Sequence, residues 1–134
     1  MIYTLDTNTC IRIINGRSAT ARTRLLQVPT TNVTVCSVVR GELRYGAAKS
    51  QTPQRTRQKQ DIFLRPFATV PFDDRAAEAY GYVRAALERA GTPIGPLDMM
   101  IAAIAIAHNL TLVTHNIREF SRVSGLKYED WQSD

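Results

Sequence analysis

The chain has 134 residues, 44% of them hydrophobic, 22% charged and 7% aromatic, with a formal net charge of +5. That profile reads as one globular domain, residues 1–134, able to bury roughly two-thirds of its unfolded surface. The longest apolar run, Met99 to Ala107, is too short to span a bilayer, and the first residues lack the charged start and long apolar stretch of a signal peptide. Secretion and membrane insertion are therefore not expected.

In chain order, Ile2 to Leu5 reads as a buried strand that stops at Asp6. Residues 8–15 and 19–28 read as helices. Asn32 to Cys36 alternates β-branched residues and ends at Ser37, which is expected to N-cap a helix from Val38 to Lys49. Pro53 opens a helix that is polar on nearly every side until Ile62, Phe63 and Leu64, the pattern of a helix projecting into solvent or awaiting a partner. Ala68 to Phe72 reads as a strand. Asp73-Asp74 then caps an amphipathic helix whose stripe is Ala76, Ala79, Tyr80, Val83, Leu87 and Ala90. Gly91 ends it, and Gly95-Pro96 opens an apolar helix that carries Asp98 and stops near Asn109. Thr111 to Thr114 is a strand, Asn116 to Arg122 a short helix, and Lys127 to Glu129 a last strand. Strands alternating with helices predict an α/β fold, a parallel sheet covered on both faces. Cys10 and Cys36 lie in apolar surroundings without C-x-x-C spacing, which excludes a zinc site or a disulfide framework and suits a reducing cytoplasm.

Charge is unevenly spread. Residues 1–65 hold eleven Lys and Arg against three acids, a net of +8, whereas residues 66–134 hold six against nine, a net of −3. Fourteen of the seventeen cations are arginine, whose planar fork suits phosphate oxygens. The densest stretch runs from Arg40 to Arg65 and includes Arg44, Lys49, Arg55, Arg57 and Lys59. It is either a footprint for nucleic acid or a solvated basic face.

Acids stand where such a fold puts a site, at the carboxyl ends of the strands. Asp6 ends the first strand, Glu42 lies just inside the helix after the second, Asp98 heads its own helix, and Glu119 follows the strand at 111–114 by one turn. Each has a structural alternative. Asp6 can cap the next helix, Asp98 suits a helix dipole, and Asn116-Ile-Arg-Glu119 has capping-box spacing. Glu42 is harder to explain away, because it shares a face with Val38, Val39 and Tyr45, where an unpaired carboxylate is costly. Asp73-Asp74 reads as a cap, and the tail acids Glu129, Asp130 and Asp134 as solvated. Converging carboxylates need a cation, and all-oxygen ligands match Mg²⁺ or Mn²⁺. An acidic metal pocket beside a basic surface is the arrangement of a metal-dependent nuclease.

Leu5-Asp6-Thr7-Asn8, Ser37-Val38-Val39-Arg40-Gly41-Glu42-Leu43, Gly95-Pro96-Leu97-Asp98-Met99-Met100-Ile101-Ala102 and Val113-Thr114-His115-Asn116-Ile117-Arg118-Glu119-Phe120 resemble, in order, the motifs of a PIN domain. More closely, with Tyr45-Gly46 and the closing Glu129-Asp130-Trp131, the chain resembles the VapC toxins of type II toxin–antitoxin systems. That resemblance implies a three-layer α/β/α fold on a parallel sheet of four to five strands, a Mg²⁺/Mn²⁺-dependent endoribonuclease, a homodimer and a VapB-type antitoxin. It makes tRNA the first candidate substrate and translation the process inhibited. Asp6, Glu42 and Asp98 would be the core acids and metal ligands. The fourth acidic position of the family falls on the neutral Asn116, and Glu119, one turn along, would supply that carboxylate. Thr7, Asn8, Ser37, Thr114 and Asn116 would orient the acids and metal waters. The expected chemistry is hydrolysis by a metal-activated water, leaving 5′-phosphate and 3′-hydroxyl ends. His108 and His115 form no general-base pair and are expected at the surface.

Arg40, Arg44, Arg55 and Arg57 are candidates for contact with RNA or antitoxin. Two rival readings remain at this stage. One is a catalytically degenerate RNA- or protein-binding module, supported by Asn116. The other is a DNA-directed nuclease, since no residue in the sequence reads a ribose 2′-hydroxyl.

Overall fold

The computed structural model describes residues 1–132; Asp134 lies outside them. Five short strands form one all-parallel sheet in the order β3-β2-β1-β4-β5: β1 (Tyr3–Leu5), β2 (Val33–Cys36), β3 (Ala68–Val70), β4 (Thr111–Val113) and β5 (Tyr128–Glu129). Every residue of β2 is buried, as expected for a strand covered on both faces.

The chain leaves β1 through α1 (Thr7–Ile14) and α2 (Ala19–Leu26), and leaves β2 through α3 (Ser37–Lys49) and α4 (Pro53–Leu64). It then reverses direction, reaching β4 through α5 (Asp74–Arg89) and α6 (Pro96–Ala107), and β5 through α7 (Ile117–Phe120). With the right-handed crossovers that parallel strands take, this strand order puts α1 to α4 on one face of the sheet and α5 to α7 on the other. The reversal leaves a crevice between the carboxyl ends of β1 and β4, where open α/β sheets bind ligands.

The core forms from strand residues such as Leu5, Val33, Val35 and Leu112 with the apolar body of α6, in which Met99 and Ile101 to Ala105 are buried. Cys10 and Cys36 are buried and unbridged, and burial pushes both thiols up. Asp73 caps α5 as expected, its Oδ1 accepting from Ala76 N at 3.0 Å. Its Oδ2 lies 3.2 Å from His108 Nε2, so the expectation of a surface histidine gives way to a partly buried one latching α6 to α5. The turn between these helices is a Schellman motif. Gly91, at φ +68°, donates to Glu88 O while Thr92 donates to Leu87 O, and only glycine takes that φ without strain.

Two local expectations need correction. Ser37 is the first residue of α3 rather than its side-chain cap: its hydroxyl accepts instead from Phe72 N at 3.3 Å, tying the ends of β2 and β3. The polar helix α4 does not project. Leu64 enters the core, and buried Gln60 donates to Leu43 O at 2.8 Å while accepting from Arg44 at 3.1 Å. That network satisfies Gln60, while Gln54, Arg55, Arg57, Gln58 and Lys59 stay exposed to solvent as the polar faces led one to expect.

Candidate active site

Asp6 immediately follows β1, and its own N–H donates to Val113 O of β4 at 3.1 Å. The register Leu5↔Val113 sets Asp6 beside Thr114, so the two residues meet at the topological crevice. Asp6 is 5% exposed. Its Oδ1 accepts from Thr9 N at 2.8 Å, so the helix-capping role is real, and it coexists with a place in the crevice. Burial raises the Asp6 carboxyl; hydrogen bonds from Thr114 and Thr9 oppose the rise.

The other three acids converge electrostatically on one another. Asp98, in the first turn of α6, is pushed up from 3.8 to about 6, first by burial, then by the charge of Glu119, that of Glu42 and a hydrogen bond with Glu119, and last by Asp6. Four carboxylates from four chain regions thus share one rim. Glu42, on the second turn of α3, has the partner its partly buried position demands: Thr7 Oγ1 donates to its Oε1 at 2.6 Å. The expected shared apolar face is only partial, since Tyr45 is exposed and stacks under Lys49. Glu119 is held by Asn116, whose Nδ2 donates to Oε2 at 2.9 Å. Asn116 makes no side-chain cap, so the bond joins side chain to side chain and is not half of a capping box. Thr114 Oγ1 accepts from Asn116 N at 2.9 Å, bending the chain as it leaves β4. Phe120, 1% exposed, anchors the short α7 in the core and so fixes where Glu119 stands; removing its ring would cost about 3–5 kcal/mol. Asn8 is exposed on the rim, whereas the hydroxyl of Ser37 is turned to Phe72 N.

The donor set is all carboxylate and amide or hydroxyl oxygen, the chemistry of Mg²⁺ or Mn²⁺ rather than zinc. Among the described residues no three of these acids are drawn together as a closed cage. Like charges repel, and Asp98 beside Glu119 is pushed up by that repulsion on top of its burial. The residues fit a divalent cation by donor type, and a cation would offset the like charges that add to burial in raising Asp98.

The four arginines divide. Arg40 donates from Nε to Val35 O at 3.2 Å and from a terminal nitrogen to Phe67 O at 2.9 Å, clamping β2 to the entry of β3, a scaffold duty the sequence did not disclose. Arg44 pairs with Asp61 at 2.8 Å. Arg55 is exposed, and Arg57 reaches the same Asp61 at 3.3 Å from an exposed position.

One cluster escaped the sequence reading. Asp130, expected in solvent, is 15% exposed; its Oδ2 lies 2.9 Å from His115 Nδ1 and its Oδ1 accepts from Gln132 N at 2.8 Å. The pairing of β4 with β5 carries Asp130 back to the crevice, and Trp131 pins the segment by an edge contact with Tyr3 at 5.1 Å. The only signal in the sequence was the closing Glu129-Asp130-Trp131 motif.

Residues 3–126 match the family model of the PIN domain. The chain is 40% identical over 129 residues to the tRNA(fMet)-specific endonuclease VapC of Salmonella typhimurium, covering 96% of this chain and 97% of that one. It is 40% identical over 132 residues to ribonuclease VapC2 of Rickettsia felis, covering 98% of each. The crystal structure of VapBC2 from Rickettsia felis, bound to a DNA fragment from its promoter, superimposes with a TM-score of 0.92 at 39% identity, over 98% of this chain and 99% of that one.

Proposed function

The chain belongs to the PIN-domain family as one of its VapC ribonucleases, and from there we propose that Asp6, Glu42, Asp98 and Glu119 bind Mg²⁺ or Mn²⁺ and hydrolyse an RNA phosphodiester, with tRNA as the substrate. The observation that carries this reading is the convergence of four acids from separate elements at the crevice of a parallel sheet, where burial first and then Glu119, Glu42 and Asp6 raise Asp98. That the Salmonella relative is a tRNA(fMet)-specific endonuclease supports tRNA.

When bound, the cation supplies Lewis acidity toward a phosphoryl oxygen and makes water a nucleophile at neutral pH. The chain supplies the rest. Thr9 and Thr114 fix Asp6, Thr7 fixes Glu42, and Asn116 fixes Glu119, so that the carboxylates face the scissile phosphate preoriented. Asp98, raised by burial and then by its acidic neighbours, is the group placed to hold a proton at the site. The exposed guanidinium groups of Arg55 and Arg57 attract the RNA backbone. Displacement in line with the 3′-oxygen leaves a 5′-phosphate and a 3′-hydroxyl.

The partner is a VapB-type antitoxin, as in the VapBC complexes this fold matches. An apolar cleft of about 210 Å³ among Ile11, Ile14, Leu43 and Gln60 opens beside Glu42, so an antitoxin segment seated there could send an arginine onto the acids. Release of that segment would free a cytoplasmic toxin, as a homodimer, to stop translation. No helix among the described residues is long and apolar enough to cross a membrane.

The test is end mapping of tRNA fragments produced by antitoxin-free protein. Fragments with 5′-phosphate and 3′-hydroxyl ends are expected; 2′,3′-cyclic phosphates would contradict hydrolysis by this route.

A further inference from the structure

A metal-bound phosphodiester looks the same in RNA and DNA, so the acids alone do not choose between them. Beside them opens a cleft of about 370 Å³ lined by Asn8, Ile11, Arg12, His115, Asn116 and Gln132. Its size is that of a small-molecule site, which starts at roughly 300 Å³, and gives room for one nucleoside. Its walls are continuous with the acidic rim: Asn8 is two residues from Asp6, and Asn116 holds Glu119.

The His115 side chain is 62% exposed in this cleft. Its Nδ1 lies 2.9 Å from Asp130 Oδ2, and a carboxylate oxygen only accepts, so the hydrogen of that bond sits on Nδ1. In the neutral ring this fixes the tautomer and leaves Nε2 a lone pair, with no hydrogen-bond partner among the described residues. Asp130 is itself fixed by Gln132 N, and its segment by Trp131. The ring is therefore a preoriented acceptor. An acceptor repels phosphate oxygens and takes a hydrogen from a hydroxyl. In a nucleic acid the hydroxyl nearest the scissile phosphate is that of the adjoining ribose, which base edges do not approach as closely.

The geometry points to His115, held by Asp130, as the residue that reads the ribose 2′-hydroxyl of the nucleotide adjoining the scissile phosphate and so separates RNA from DNA. This rests on the nuclease reading for the placement of the substrate, and it supplies the 2′-hydroxyl reader that the sequence by itself did not reveal, because the Asp130 contact that orients His115 comes from 15 residues away. His115 is a specificity-determining residue, and Asp130 acts through it.

The experiment compares wild type and His115→Ala at pH 8 on an RNA oligonucleotide carrying single 2′-deoxy substitutions around the cleavage point. One position is expected at which the deoxy sugar costs wild type about three- to tenfold in kcat/KM, the worth of one hydrogen bond between neutral groups. His115→Ala loses a similar factor on the all-ribose substrate and nothing further at that position. Asp130→Asn, which no longer compels the hydrogen onto Nδ1, should weaken the discrimination with the ring still present. Additive losses from the variant and the deoxy sugar would overturn the assignment, as would a loss that follows the base rather than the sugar. The same oligonucleotides are measured for binding in EDTA by fluorescence anisotropy. Ribose discrimination in binding that His115→Ala abolishes, without any cleavage, would uphold His115 and sink the nuclease; cleavage with no such position would do the reverse.

Discussion

Replacing Asp98 with asparagine should make the protein more stable and inactive at once. Burial, then the charges of Glu119 and Glu42, raise its carboxyl from 3.8 to about 6, so above pH 6 the folded state holds an ionised group that it disfavours. At 1.36 kcal/mol per pH decade the displacement is worth about 3 kcal/mol. The side chain is half open to water, and screening leaves about 1 kcal/mol, or about 3–5 °C in Tm for a chain of this length. The sign follows from linkage: a carboxyl raised on folding binds its proton more tightly in the native state, so stability falls as pH rises from about 4 through 6 and is flat above. Thermal unfolding in EDTA of wild type and Asp98→Asn, at pH 4 and pH 8, reads this directly. The variant should melt above wild type at pH 8 and level with it at pH 4. Adding Mg²⁺ at pH 8 should raise wild type more than the variant. A variant that melts lower at pH 8, or an advantage equal at both pH values, would refute the claim that burial, reinforced by the neighbouring acids, raises Asp98 in the folded state.

Thr7→Val removes the donor to Glu42 Oε1; a hydrogen bond to a charged group is worth about 1.5–3 kcal/mol, so kcat/KM for RNA cleavage should fall about 10- to 100-fold with Tm little changed. Asn116→Asp exchanges the donor facing Glu119 for a further negative charge, so Tm in EDTA should drop and Mn²⁺ should restore more of it than in wild type. Arg40→Ala leaves two carbonyl acceptors without their donor and should cost about 2–3 kcal/mol in urea unfolding. Reversing Arg55 and Arg57 to glutamate should weaken RNA or antitoxin affinity in a salt-dependent manner, and unchanged affinity for both would remove that helix from the interface.

The sequence carried the sheet because β1, β2 and β4 are short β-branched or apolar runs, each followed by a polar residue (Asp6, Ser37, Thr114) that the parallel topology delivers to one rim. Asp6 and Thr114 were legible as strand ends for this reason, and their adjacency follows from the register of β1 with β4. Asp73 and Gly91 were legible because capping is local chemistry. What stayed hidden depends on partners far along the chain. Nothing near Ser37 shows that its hydroxyl serves Phe72 N, 35 residues on. The polar faces of α4 looked unpartnered because Arg44, the partner of Gln60 and Asp61, lies on the preceding helix. Asp130 resembled a solvated tail acid until β5 paired with β4 and brought it to His115, 15 residues earlier. The clustering of four acids was suggested by their positions, and their mutual perturbation needed coordinates.

The most direct measurement is cleavage of total cellular RNA by antitoxin-free protein in Mg²⁺, in Mn²⁺ and in EDTA, beside a folded Asp6→Asn control. Discrete fragments that require the divalent cation and vanish in the variant are the expected result. Undiminished cutting in EDTA, or no metal-dependent cutting of any RNA by correctly folded protein, would contradict a metal-dependent ribonuclease at this acidic rim.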